Sequence, residues 1–170
     1  LLTSKGGKLK NRIIYEEVEL KPLITSVVKR CKTIAASKNI AIAIKPLPRL
    51  TVLGDRIYLE KMLTNLIRNS ILYGTKNGKT TVSSKKSEGF ICVSIADNGI
   101  GISKEDLPHV FERFYRVDKS HNSDNEGTGL GLAIVKWIAE IHKGKVVVQS
   151  RVGKGSIFTV FIPTKTMKNS

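Results

Sequence analysis

Apolar residues between positions 59 and 71 recur with a helical period: Leu59, Met62, Leu63, Leu66, Ile67 and Ile71 fall at i, i+3, i+4, i+7, i+8 and i+12. They form one buried stripe, Asp55 stands where a cap belongs, and the glycine-containing stretch 74–79 ends the helix. A helix running to about 37 is predicted from Pro22, whose fixed φ suits a first turn. A third helix carries Leu130, Ile134, Trp137, Ile138 and Ile141 on one face and stops at Gly144. Elsewhere the period is two. Strands are read at 12–20 and at Ile40, Ile42 and Ile44, with Pro46 and Pro48 breaking the chain beyond. Two hairpins follow, 80–85 with 90–97 around 87–89, and 145–150 with 156–162 through Val152, Gly153, Lys154 and Gly155. Residues 103–116 read as helical in part, and 121–126 as a polar, mobile loop. Helices combined with hairpin-linked strands predict an α+β fold, a two-layer sandwich with helices on one sheet face.

The 170 residues suffice for one domain with a proper core. No apolar run approaches the roughly 20 residues of a membrane span. Cys31 and Cys92 form no metal-binding or disulfide pattern, so reduced, cytosolic surroundings fit, and Cys92 reads as a small core residue. Lys and Arg number 29 against 14 acidic residues, a formal charge of +15, which favours anionic partners. The basic residues are scattered, densest over 5–12, and make no nucleic-acid stripe. Residues 1–11 lack apolar periodicity and read as the tail of an upstream element.

Three groups of residues carry chemistry. The strand 90–97 places Ile91, Val93, Ile95 and then Asp97 on its core-facing side, and a carboxylate there needs a donor such as an exocyclic amine. Gly99 and Gly101 would let the backbone approach a flat ligand, although Asp-Asn-Gly is also ordinary turn chemistry. Gly127, Thr128, Gly129, Leu130, Gly131 and Leu132 open the third helix, whose free N–H groups make a phosphate cradle without a Walker lysine. Asn65 and Asn69 stand one turn apart beside the apolar stripe, with Leu72 and Tyr73 beyond, and an amide oxygen is a suitable hard ligand for Mg²⁺. Arg113 and Arg116 sit among Phe111, Phe114 and Tyr115, where an arginine on a closing segment can stabilise a transferring phosphoryl group. His109, His121 and His142 stand apart from Cys and carboxylate clusters and read as non-catalytic.

In order and spacing, Asn65-Leu-Ile-Arg-Asn69-Ser, Asp97-Asn-Gly-Ile-Gly101-Ile, Phe111-Glu-Arg-Phe-Tyr-Arg116, Gly127-Thr-Gly-Leu-Gly-Leu132 and Gly153-Lys-Gly-Ser156 resemble the N, first glycine, F, second glycine and third glycine boxes of sensor histidine kinases. The resemblance covers about 12–164. It implies the Bergerat ATP-binding sandwich, a mixed sheet covered on one face by helices, shared with gyrase, mismatch-repair ATPases and a heat-shock chaperone. By resemblance Asp97 holds the adenine amine, Asn69 binds Mg²⁺, and Tyr73, Gly99, Gly101, Ile102 and residues 127–132 line the nucleotide. Ser156 would help bind adenine through water, residues 102–126 would be the ATP lid, and Arg116, then Arg113, would contact the γ-phosphate. The domain would span 12–166, with a tail at 167–170.

The implied function is transfer of the γ-phosphoryl of ATP-Mg²⁺ to a histidine on a dimerisation domain absent from this chain, with a response-regulator receiver domain as the next partner. Nucleic acid is not expected as a partner. The isolated domain would be monomeric and cytoplasmic and the full-length protein a homodimer, its membrane anchoring left open. Two positions depart from the family. Leu72 stands where many members have Lys or Arg, so that one phosphate contact is either missing or supplied by a lid residue such as Lys119, and no histidine is followed by an acidic residue, so the chain should not phosphorylate itself. Asn65 occupies the position where the related ATPases carry a general-base Glu; an amide cannot take a proton, so water attack should be slow. The alternatives are a serine kinase of the same fold, a nucleotide sensor without catalysis, and a polyanion-binding domain.

Overall fold

The computed structural model describes residues 12–117 and 128–164. Along the chain run β1 (Glu16–Glu19), α1 (Leu20–Ser37), β2 (Ala41–Ile44), β3 (Thr51–Gly54), α2 (Arg56–Leu72), β4 (Lys79–Ser87), β5 (Phe90–Asp97), α3 (Gly131–Ile141), β6 (Lys145–Arg151) and β7 (Gly155–Pro163). Five strands form one mixed sheet in the order β2-β4-β5-β7-β6, parallel only between β2 and β4. β1 and β3 make a separate antiparallel pair.

Register explains the single core. Val82 sits opposite Ile95, Ile95 opposite Phe158, Val93 opposite Val160 and Ile91 opposite Ile162, so the large buried side chains share one sheet face. The three helices pack there, α2 between α1 and α3. All six apolar residues of the predicted α2 stripe are buried. Asp55 caps this helix, its Oδ1 accepting from the Ile57 and Tyr58 amides at 3.0 and 3.2 Å. The architecture is the α+β two-layer sandwich read from the pattern. Among the described residues no helix is long and apolar enough to cross a membrane.

Three differences from the sequence reading have physical causes. The leading strand is only Glu16–Glu19 and is held by β3, a four-residue strand too short to show a period. Residues 103–116 form successive turns without a regular helix. Pro108 lacks an N–H and disfavours α geometry at Leu107, and Phe114 has a positive φ of 64°. On α3 the buried line is Val135, Ile138 and Ala139. Trp137 is rotated outward, 42% exposed, with its ring edge-on to Tyr58 at 5.2 Å. The loop expected at 121–126 lies outside the described residues, as do the segments expected at 1–11 and 167–170.

Candidate functional site

Asp97 closes β5 on the core-facing side, half-buried. Its Oδ1 accepts from the Gly99 amide at 2.9 Å and the Ser156 amide at 3.2 Å. Oδ2 has no partner among the described residues. Burial pushes the carboxyl above the usual carboxylate range, and the Gly99 and Ser156 amides pull it part of the way back. One oxygen is thus fixed by the protein and the other is available to a donor.

The glycines beside Asp97 permit close approaches within the chain. A Cβ on Gly99 would strike the Tyr73 carbonyl, and a Cβ on Gly101, where φ is +73°, would strike the Arg151 carbonyl. Both therefore let segments of this chain approach each other. The approach is stitched by the Ile100 amide donating to the Tyr73 carbonyl at 3.1 Å and the Gly153 amide to the Ile100 carbonyl at 2.8 Å. Tyr73, 39% exposed, is consequently fixed beside the Asp97 turn. Ile102 packs against the core and its amide donates to Ser150 Oγ at 2.8 Å. Ser156 is buried and pairs with the same hydroxyl.

Across the site, Asn65 and Asn69 lie one turn apart on α2, both half-buried, and neither amide has a partner among the described residues. α3 starts directly over Asn65, for a Cβ on Gly131 would stand 3.6 Å from Asn65 Oδ1. No side chain caps α3, and Leu130 at the cap position has φ −100° and ψ −18°. The N–H groups of its first turn are therefore directed at the region Asn65 borders. Thr128 is exposed, Gly129 and Leu130 are half-buried, and Leu132 packs on the core. Gly127 lies outside the described residues.

The aromatic segment meets this helix start. The Phe114 amide donates to the Gly129 carbonyl at 2.9 Å, with positive φ at both residues. Upstream, Asp106 accepts from Ser103 Oγ and from the Tyr115 hydroxyl, each at 2.6 Å, while Phe111 packs edge-on against core Phe158. Arg116 is half-buried and Arg113 exposed. Lys119 falls outside the described residues. Leu72 is half-buried, and its carbonyl accepts from Lys38 Nζ at 2.9 Å.

Among the described residues no three His, Cys, Asp or Glu side chains gather. A divalent cation here would take amide oxygen from the protein and its remaining ligands from phosphate and water, a donor set that fits Mg²⁺. His142 is buried and fully engaged, Nε2 accepting from the Asp55 amide at 3.0 Å and Nδ1 lying 2.7 Å from the Ile138 carbonyl. It is a packed core histidine, and His109 pairs with Glu112 on the surface. Sequence reasoning missed Ser150 and Gly155. A serine in a strand carries no local signal, and Gly155 stood inside a recognised box without a role.

Residues 54–166 match the family described as histidine kinase-, DNA gyrase B-, and HSP90-like ATPase. Over 148 residues, 87% of this chain and 38% of the relative, the chain is 39% identical to the sensor-like histidine kinase SenX3 of Mycolicibacterium smegmatis. It is similar in structure to full-length ShkA in complex with AMPPNP, with a TM-score of 0.80 at 27% identity, covering 91% of this chain and 32% of that one. Histidine kinase ThkA in complex with the response regulator protein TrrA gives a TM-score of 0.75 at 26% identity, over 92% of this chain and 44% of that one. The chain therefore spans well under half the length of each of these three relatives. The chain belongs to the histidine kinase-, gyrase B- and HSP90-like ATPase family, as a catalytic domain of the sensor histidine kinase type.

Proposed function

We propose that this domain binds ATP with Mg²⁺ and donates the γ-phosphoryl group to a histidine on a dimerisation domain outside the chain. The observation that carries the reading is Asp97, whose Oδ1 is held by two amides while Oδ2 has no partner among the described residues. An acceptor so placed suits the 6-amino group of adenine. Asn69, with Asn65 one turn away, would hold the cation, and the first turn of α3 with residues 127–132 would hold the phosphates. When bound, Mg²⁺ neutralises phosphate charge. Arg116 and Arg113 would face the γ-phosphoryl. The acceptor imidazole nitrogen then attacks phosphorus in line, a P–N bond forms, the bond to the bridging oxygen breaks, and ADP leaves with its electron pair.

The amide of Asn65 cannot act as a general base, which favours transfer to an acceptor over hydrolysis. The solved relative holding AMPPNP supports the nucleotide reading, and the one holding a response regulator supports a receiver domain as the next partner. A net charge of +15 suits an acidic partner surface. Titration calorimetry with a non-hydrolysable ATP analogue, with and without Mg²⁺, tests the first half of the reading. Magnesium-dependent binding that disappears in Asp97→Asn is the expected result, and no binding by the unmutated chain overturns it. Supplying a histidine-bearing dimerisation domain tests the second half, and rapid ATP turnover without any acceptor would count against it.

A further inference from the structure

The hydroxyl of Ser150, on β6, meets three groups. Ser150 Oγ lies 2.9 Å from the Gly155 carbonyl oxygen, 2.8 Å from the Ile102 amide and 2.8 Å from Ser156 Oγ. A serine hydroxyl has one proton and two lone pairs. The carbonyl only accepts, so the Ser150 proton goes to Gly155. The amide only donates, so Ile102 takes one lone pair. One lone pair remains for Ser156, whose hydroxyl must donate to it.

With its proton committed, Ser156 Oγ offers only lone pairs to a ligand. Its own amide is meanwhile on Asp97 Oδ1. To a nucleobase held at Asp97 these two side chains would therefore present two acceptors, Asp97 Oδ2 and Ser156 Oγ, and no side-chain donor. A 6-amino purine, or a water bound to one, matches that pattern. A 6-oxo purine places a third acceptor against it.

We propose that Ser150 is a positioning residue for nucleobase choice: by fixing the direction of the Ser156 proton it makes the pocket select a 6-amino over a 6-oxo purine. The proposal rests on the ATP reading above. Removing the Ser150 hydroxyl frees Ser156 to rotate and donate, which helps guanine and harms adenine. The same change unpairs the Ile102 amide, a loss that does not depend on the base.

The experiment measures affinities for non-hydrolysable ATP and GTP analogues with Mg²⁺, together with thermal midpoints. The proteins are the unmutated chain, Ser150→Ala, Ser150→Thr, Ser156→Ala and the Ser150→Ala/Ser156→Ala double variant. In Ser150→Ala the preference for ATP over GTP should fall about five- to tenfold, the scale of one hydrogen bond. Ser150→Thr, which keeps the hydroxyl, should hold the preference within about twofold. In the Ser156→Ala background, Ser150→Ala should change the preference no further. Equal weakening of both analogues in Ser150→Ala overturns the proposal, as does additive loss in the double variant. Should Ser150→Ala not fold, a preference lost in Ser150→Thr or unmoved in Ser156→Ala overturns it instead. Binding of neither analogue by the unmutated chain would sink the ATP reading itself, whereas ATP binding with an unmoved preference would sink only the role of Ser150.

Discussion

The two ends of the site are built differently. At the Asp97 end nearly every polar group is held by the protein: Asp97 Oδ1 by two amides, the Ser150 hydroxyl by three partners, and the Ile100 amide by Tyr73. At the α3 end the asparagine amides have no partner among the described residues and the helix start has no side-chain cap. One end is set before a ligand arrives, while the other offers donors and oxygens for charge that a ligand must bring. Such a division suits a site that recognises a neutral ring at one end and a polyanion with its cation at the other.

Breaking the preformed end should have the largest effect. Asp97→Asn replaces an ionised acceptor by an amide and should weaken the ATP analogue about a hundredfold in calorimetry. Its thermal midpoint should stay level or rise, because burying the charged carboxylate opposes folding. An unchanged affinity would mean that Asp97 is only a turn former.

At the charged end, Asn69→Ala should remove the magnesium dependence and cost about tenfold in affinity with Mg²⁺ present. Binding in chelator should be nearly unchanged. A loss of equal size in chelator would place Asn69 in the base pocket or in the fold.

A pH titration separates the ends by sign. Burial raises the folded pKa of Asp97 above its unfolded value, so the cost of its charge is absent below the unfolded pKa and fully present above the folded one. Nucleotide binding uses the charged form. Affinity should therefore be full well above the raised pKa and decline, as pH falls, earlier than an ordinary carboxylate would dictate. The decline should vanish in Asp97→Asn.

The smallest effect is expected from Leu72→Lys, which supplies the cation that the family resemblance implies at this position. Affinity for the triphosphate analogue should rise about threefold and that for adenosine should not change. A gain for adenosine would put this position at the base end.

The contrast also sorts what was readable in the chain. Asp97 could be placed on the core side because it follows Ile91, Val93 and Ile95 of β5 at a period of two. Asn65 and Asn69 were paired by helical spacing alone. Trp137 was misplaced because α3 is apolar nearly all round, so the period did not choose which line turns inward. The helical reading of 103–116 failed because Ser103, Asp106 and Tyr115 bond to one another across the turns that Pro108 interrupts.

Local periodicity and turn chemistry, acting over a few residues, determined the helices, the hairpins and the identity of the acceptor carboxylate. The antiparallel register of β6 on β7 sets Ser150 opposite Ser156, and the approach of Arg151 to Gly101 brings together residues 50 positions apart in sequence. Those contacts decide which oxygen of Asp97 the amides hold and which groups meet the hydroxyls of Ser150 and Ser156. No pattern along the chain encodes them, because each bond depends on several elements being packed at once.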